Sequence, residues 1–222
     1  MKYEIVSTGS SGNCVILGGN ICIDIGVSFK AVRPYVRGLK LLLLTHAHSD
    51  HINIKTLKRV VKERPTLRVG CCEWMMPKLD EAGIPKKNID VYEIGKTNRY
   101  TLFDITPVKL YHNVPNCGYR IFVGNEKIFY ATDTGHLEGI TARNYNLYMI
   151  ECNYTDEDIA RRIEEKEQKG EYAYEYEAKH NHLSKTQCDE FIANNAGRYS
   201  KYVYLHQHMD KHPERKRRRF EI

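Results

Sequence analysis

Residues 41–51 read Leu41-Leu42-Leu43-Leu44-Thr45-His46-Ala47-His48-Ser49-Asp50-His51, an apolar run that opens directly onto the pattern H-x-H-x-D-H. A continuous apolar stretch is what a strand covered on both faces requires. Four side chains able to bind a metal follow at its end. Imidazole and carboxylate form the ligand set of divalent zinc, manganese and iron. A chance match of this pattern is expected in roughly one such chain per thousand. The competing reading, a polar loop of solvated histidines, leaves the companions of the motif downstream unexplained.

Those companions sit where other apolar runs meet polar turns. His112 follows Val108-Lys109-Leu110-Tyr111 and precedes a turn with Pro115. Asp133 follows Ile128-Phe129-Tyr130-Ala131-Thr132, and His206 follows Tyr202-Val203-Tyr204-Leu205. Three such strands can deliver ligands to one rim. His208 rivals His206, because side chains two apart on a strand share a face.

Outward from these anchors, the pattern predicts strands over 4–7, 13–17 and 21–25 around glycine-rich turns, and over 40–45, 67–70, 89–94, 99–110, 117–123, 127–131, 146–150 and 201–205. Ile54, Leu57, Val60 and Val61 have helical spacing. Helices are expected around 73–82, over 156–169 behind a Thr155 cap, and from a Ser184 cap to residue 195. Residues 171–179 are tyrosine-rich and left unassigned. Tyr172, Tyr174 and Tyr176 could stack on bases, although their period of two is more typical of a strand face. Strands alternating with helices, with both hairpins and buried strands, imply an α/β (α+β) architecture of two sheets between helical layers.

A chain of 222 residues is one generous domain, expected over 1–210, and can bury a core without staples. Residues 211–222 form a basic tail. Lys211, Arg215, Lys216, Arg217, Arg218 and Arg219 against Glu214 and Glu221 contribute +4 of the net +6. Such a tail suits a phosphate backbone or simply a solvated terminus. No run is apolar for 18 residues, and the N-terminal stretch with Glu4 is unlike a signal peptide. Seven scattered cysteines with no C-x-x-C pair suggest a reducing cytoplasm and no disulfide framework.

Asp24, the histidine cluster, His112, Asp133 and a late histidine, in that order, resemble the five motifs of the metallo-β-lactamase fold superfamily. Gly9-Ser10-Ser11-Gly12-Asn13-Cys14 and His182-Leu183-Ser184 resemble its small bacterial and phage exonuclease branch (the YycJ type), with ribonuclease Z and phosphonate-pathway phosphodiesterases as the next relatives. The resemblance spans the chain to about residue 210. It implies an αββα sandwich with two mixed sheets and two divalent ions, Zn or Mn with Fe possible, at one edge. It further implies that His46, His48 and His112 hold one ion, that Asp50, His51 and His206 hold the other, and that Asp133 bridges. Asp24 is expected behind them, accepting from a ligand histidine or a loop amide, unless it merely closes its own turn.

Two divalent ions, two carboxylates and a hydroxide leave a site near +1, suited to an anionic phosphodiester. Two ions can clamp both the attacking and the leaving oxygen and activate water as the nucleophile. The leaving alkoxide needs a proton, and Glu151 with His182, similar to a pair in ribonuclease Z-like enzymes, are the candidates. The alternative is that Glu151 caps a turn and His182 is merely exposed. Asp50, Glu151 and His182 are therefore the expected catalytic set. The leading reading is a metal-dependent phosphodiesterase or nuclease acting on DNA or RNA, most simply an exonuclease. A small-molecule metallo-hydrolase of a cyclic phosphodiester, thioester or lactone is the alternative. A non-enzymatic binding module fits the intact ligand set poorly.

Overall fold

The computed structural model describes residues 1–207. The basic tail and His208 lie outside the described residues. Two six-stranded sheets face each other. The first runs in spatial order through β1 (Tyr3–Ser7), β2 (Cys14–Leu17), β3 (Ile21–Ile23), β4 (Leu41–Leu44), β5 (Arg68–Cys72) and β6 (Ile89–Tyr92). Its first three strands form an antiparallel meander, and β3 to β6 are parallel. Helices α1 (Phe29–Val32), α2 (Ile54–Glu63) and α3 (Met76–Glu81) fill the parallel crossovers.

The second sheet holds β7 (Asn98–Arg99), β8 (Asp104–Leu110), β9 (Asn116–Val123), β10 (Glu126–Ala131), β11 (Leu147–Glu151) and β12 (Lys201–Leu205), again in chain order across the sheet. Strands β7 to β10 are antiparallel neighbours, and β10, β11 and β12 are parallel. Helices α4 (Asp156–Gln168), α5 (Glu175–Asn181) and α6 (Lys185–Asn195) all lie between β11 and β12.

The four leucines of β4 explain the layering. Side chains alternate across a strand. Leu42 and Leu44 pack with Val32, Leu57, Val60 and Leu79 from the helices, while Leu41 and Leu43 enter the core between the sheets with Ile105, Tyr119, Ile121 and Ile128. The same split occurs in the second sheet. Tyr130 and Met149 face the inter-sheet core, whereas Phe129 and Ile150 pack on Leu183, Phe191 and Ile192. The order is thus helix, sheet, sheet, helix, as the sequence suggests. All four leucines are fully buried, and cutting one back to alanine should cost about 2–5 kcal/mol.

Local signals set the helix ends. Asn53 Oδ1 accepts from Thr56 N at 3.0 Å to start α2. Thr155 Oγ1 accepts from Asp158 N to start α4, and Ser184 and Gln187 form a reciprocal capping box on α6. Three expectations need correction. The strand expected over 99–110 is broken: Arg99 pairs with Asp104 across a tight turn, closed by Tyr100 N to Phe103 O at 2.9 Å. Tyr100 is held by Asp90 and Tyr92, and Phe103 is buried, so tertiary contacts bend the run. The helix expected over 73–82 starts as a 3-10 turn, Glu73–Met75, before α3, where Pro77 donates no amide. In the tyrosine-rich segment Glu175–Asn181 is helical, so the period of two does not mark a strand. Its rings stay exposed, with Tyr172 bonded to Glu177, Tyr176 to Glu167, and Lys166 over Tyr174.

Candidate metal centre

The sheet topology brings the strand ends named above to one rim. Ile23 pairs with Leu43, and Asp24 N donates to Leu43 O at 2.8 Å, so Asp24 lies beside the start of the histidine loop. In the second sheet Ala131 pairs with Ile150, Ile150 with Tyr204, and Glu151 with Leu205. Asp133, Glu151 and His206 therefore emerge together. His112 joins from the end of β8.

Backbone conformation turns these residues inward. Among the described residues four non-glycines have φ in the left-handed region, and three of them are Asp24 (57°), Asp133 (58°) and His206 (50°). That conformation costs about 1–3 kcal/mol per residue and concentrates at functional sites.

The donor atoms converge. His48 Nδ1 lies 3.2 Å from His46 Nε2 and 3.3 Å from His112 Nε2. Asp50 Oδ2 lies 3.5 Å from His51 Nε2 and 3.9 Å from His206 Nε2. Asp133 clusters with both His46 and His51, between the two groups. A third contact explains how the rings are aimed. The Nδ1 atoms of His51, His112 and His206 face Asp24 Oδ2 (2.7 Å), Asn181 O (3.1 Å) and Glu151 Oε1 (2.9 Å). Thr45 Oγ1 stands 3.0 Å from His46 Nδ1. Acceptors at Nδ1 hold a proton there, so Nε2 is the nitrogen that each of these rings can offer to an ion.

These residues fit a cationic guest. Asp133 Oδ2 is buried and no described residue satisfies it with a hydrogen bond, although His51 Nε2 is only 2.9 Å away. Buried carboxylate oxygens are seldom left so. A ring nitrogen and a carboxylate oxygen brought this close inside the protein are placed as two ligands of one ion would be. Burial pushes the His46 imidazole down to about 2, so it is neutral and able to coordinate. Burial likewise holds His112 below its ordinary value.

On the far side of Asp133 the balance reverses. Burial opposes charge on His182, but the Glu151 carboxylate, hydrogen-bonded to His182 Nδ1, raises it above the ordinary histidine value. Burial is again outweighed at His206, where Asp133 and Glu151 raise the imidazole to about 9. Glu151 is itself buried and fixed by Thr134 N at 3.0 Å and Leu183 N at 3.4 Å. His182 sits 3.6 Å from Asp133 Oδ1 and is only partly exposed.

The residues expected from the sequence to hold metal or move a proton, within the described region, are thus gathered into one cluster, whereas Tyr172, Tyr174 and Tyr176 are exposed and partnered on the α4–α5 hairpin. Asp24 accepts from Thr45 N at 2.9 Å as well as facing His51. Sequence reasoning passed over the supports. Thr45 Oγ1 bonds both oxygens of Asp24, at 3.0 and 2.9 Å. Asn13 takes Asp50 O through its own N–H at 2.7 Å, and its Nδ2 is 2.8 Å from His51 Nε2. Thr8 Oγ1 accepts from His206 N at 2.7 Å, and Asn116 Nδ2 donates to the carbonyls of Thr132 and Asp133. The glycine-serine turn at 9–12 was visible, but its task, clamping the far loop at Asp50, depends on contacts 37 residues apart.

The fold and this rim of histidines and carboxylates define a class before any comparison. The description "Beta-lactamase superfamily domain" matches residues 20–199, and the chain belongs to that family. It is similar to exodeoxyribonuclease WalJ of Streptococcus pneumoniae, with 27% identity over 225 residues, covering 92% of this chain and 80% of that protein. Among solved structures, the metallo-beta-lactamase fold protein YhfI from Bacillus subtilis superposes with a TM-score of 0.71 at 17% identity, covering 96% of this chain and 88% of that one. The short form of human tRNase Z superposes with a TM-score of 0.68 at 14% identity, covering 94% and 93%. These two likenesses show the fold.

Proposed function

We propose that the chain is a metal-dependent nuclease that hydrolyses phosphodiester bonds from an end of DNA. The observation that carries this reading is the Glu151–His182 hydrogen bond beside Asp133, next to a convergent His and Asp cluster. The name of the pneumococcal relative supports the DNA and exonuclease parts.

His46, His48 and His112 would hold one divalent ion, Asp50, His51 and His206 a second, and Asp133 would touch both. Zinc or manganese suits these ligands, and iron is tolerated. Such ions, when bound, supply Lewis acidity and an activated water for in-line attack on phosphorus. The chain's own residues do the rest. Asp24, Thr45 and the Asn181 carbonyl hold the histidines with Nε2 inward. Asp50 and Asp133 keep the centre close to neutral, so that a phosphate anion is attracted without being trapped. His182, whose Nδ1 is bonded to Glu151 and whose imidazolium that carboxylate favours, keeps Nε2 free to give a proton to the leaving oxygen. His206 shares the Glu151 oxygen, which ties the metal-side and acid-side networks together.

The cytoplasm is the proposed setting, because all seven cysteines stand as thiols. No helix among the described residues is long and apolar enough to cross a membrane. Digestion of end-labelled and circular DNA and RNA with zinc, manganese or iron tests the reading. Release of mononucleotides from linear DNA, with circles intact, is the expected outcome. Hydrolysis of small thioesters or lactones without any attack on polynucleotides would replace it.

A further inference from the structure

Charge is unevenly distributed over the folded body. Residues 28–68 carry ten Lys and Arg against Asp50 and Glu63, a local net charge of +8 in a chain whose total is +6. Lys30, Arg33, Arg37, Lys40, Lys55, Lys58, Arg59 and Lys62 are all exposed. They lie on the helical layer of the first sheet, where Arg59 of α2 covers the Phe29 ring of α1 at 3.9 Å. Arg59 also pairs with Glu63. No ion pair is formed by Lys55, Lys58 or Lys62 within the described residues.

Helix α2 links this layer to the metal centre. It starts three residues after His51, behind the Asn53 cap. It ends at the opposite rim, where Arg64 Nε donates to Leu39 O, the residue two before β4, at 3.1 Å. Ten residues of helix span about 15 Å. Two grooves flank that far end. One, of about 400 Å³, has an apolar floor of Val61, Ile84 and Pro85 rimmed by Lys58, Lys62 and Lys87. The other, of about 410 Å³, is lined by Lys40, Arg64 and Arg68, with Tyr100 and Phe103. Arg68 is already forked onto Asp90, which offsets its charge.

The opposite flank has the reverse sign. Residues 156–181, the α4–α5 hairpin that leads into His182, hold nine carboxylates against five cations. A polyanion reaching the metal centre is repelled from that hairpin and attracted to the α2 layer.

We infer that the outer face of α2, from Lys55 through Lys58 and Lys62 to the two basic grooves, is the track on which the nucleic-acid substrate lays its phosphate backbone as it leaves the metal centre. This rests on the nuclease reading above and adds the direction of the strand. About 15 Å of track meets roughly four or five phosphates of one strand. The spacing and exposure of the lysines suit backbone contacts, which position without reading bases. The contact is therefore independent of sequence.

The test uses the full chain and a triple variant, Lys55→Gln, Lys58→Gln and Lys62→Gln, beside a control with Lys96→Gln, Lys127→Gln and Lys201→Gln of equal charge change. Cleavage of a long single strand and of bis(4-nitrophenyl) phosphate is followed from low to high salt. The triple variant should keep its rate on the small ester. Its affinity for the long strand should fall, and the log–log salt slope should flatten by about 2 to 3 relative to the parent, while the control moves little. An unchanged slope, or the same change in the control, overturns the inference and leaves the nuclease reading intact. A parent that cleaves no polynucleotide removes the nuclease reading first. Loss of retention on phosphatidylglycerol vesicles with unaltered DNA binding would assign the face to a membrane surface and also overturn it.

Discussion

The Nδ1 of His51 faces Oδ2 of Asp24 at 2.7 Å, and neither side chain is accessible to solvent. Twenty-seven residues separate them in the chain. The contact decides which nitrogen of His51 is presented to the cluster. Asp24→Asn tests it, since asparagine fits the same space and also tolerates a φ of 57°. The variant should fold but lose about 10- to 100-fold in metal affinity, because a second-contact partner sets ligand orientation and basicity. Competition with a calibrated chelator measures this. Unaltered affinity would make Asp24 a turn residue only.

His182→Ala should leave the metal content at the parent level. Turnover on nucleic acid, whose leaving alkoxide is poor, should fall by about 10²- to 10⁴-fold. Activated aryl phosphodiesters should suffer far less, because their leaving group departs without a proton. Equal losses on both substrates would remove His182 from the proton-donor role.

The last histidine of the cluster is resolved by two single variants. His206 is buried among Asp50, Asp133 and Glu151. His206→Ala should lower bound metal from two equivalents towards one, read by elemental analysis, whereas His208→Ala should leave both. The reverse pattern would transfer the ligand role to His208.

Gly26 lies against the metal loop. A methyl group built there would stand 1.7 Å from Asp50 O, which is backbone. Gly26→Ala must therefore push the loop carrying Asp50 and His51, at a cost of about 1–3 kcal/mol or more. In a chain of this size that lowers Tm by roughly 2–4 °C per kcal/mol. Metal affinity should fall with it. A melting curve and metal titration like the parent's would show that the loop yields freely.

Removing metal should loosen the same rim. Five imidazoles and two carboxylates would be left facing one another, and a ligand that binds only the folded state at 100 times its Kd contributes about 2.7 kcal/mol. Chelated protein should melt about 5–10 °C lower and regain the difference when zinc or manganese is restored. Equal melting points with and without metal would contradict a built divalent site.

Much of this could be read before folding. The Leu41–Leu44 run declared a strand covered on both sides, and the tertiary contacts sort its side chains alternately to two cores. His112, Asp133 and His206 were found by the same local rule, a polar residue at the mouth of an apolar run. The Ser184 and Thr155 caps announced their helices. The run over 99–110 misled, because Tyr100 is bent away by Asp90 and Tyr92, partners no local pattern reveals. The tyrosines of 172–176 misled for a related reason, since this segment is fastened to α4 by the Lys166–Glu175 ion pair, by Lys166 over Tyr174, and by Ala173 and Ala178 on Ile159 and Ile163, and not by its rings on a sheet.

By itself, then, the amino-acid order determined which residue types occur, where strands stop, and so which donors stand at strand ends. Those are short-range properties, written within a few positions of the chain. Only the folded arrangement decided which nitrogen each histidine turns inward, that Glu151 meets His182 and His206 at once, and that Asn13 and Gly26 close around Asp50. Each of these depends on parallel strands from distant parts of the chain ending in register at one rim, and register between strands is set by packing of the two cores rather than by neighbours in sequence.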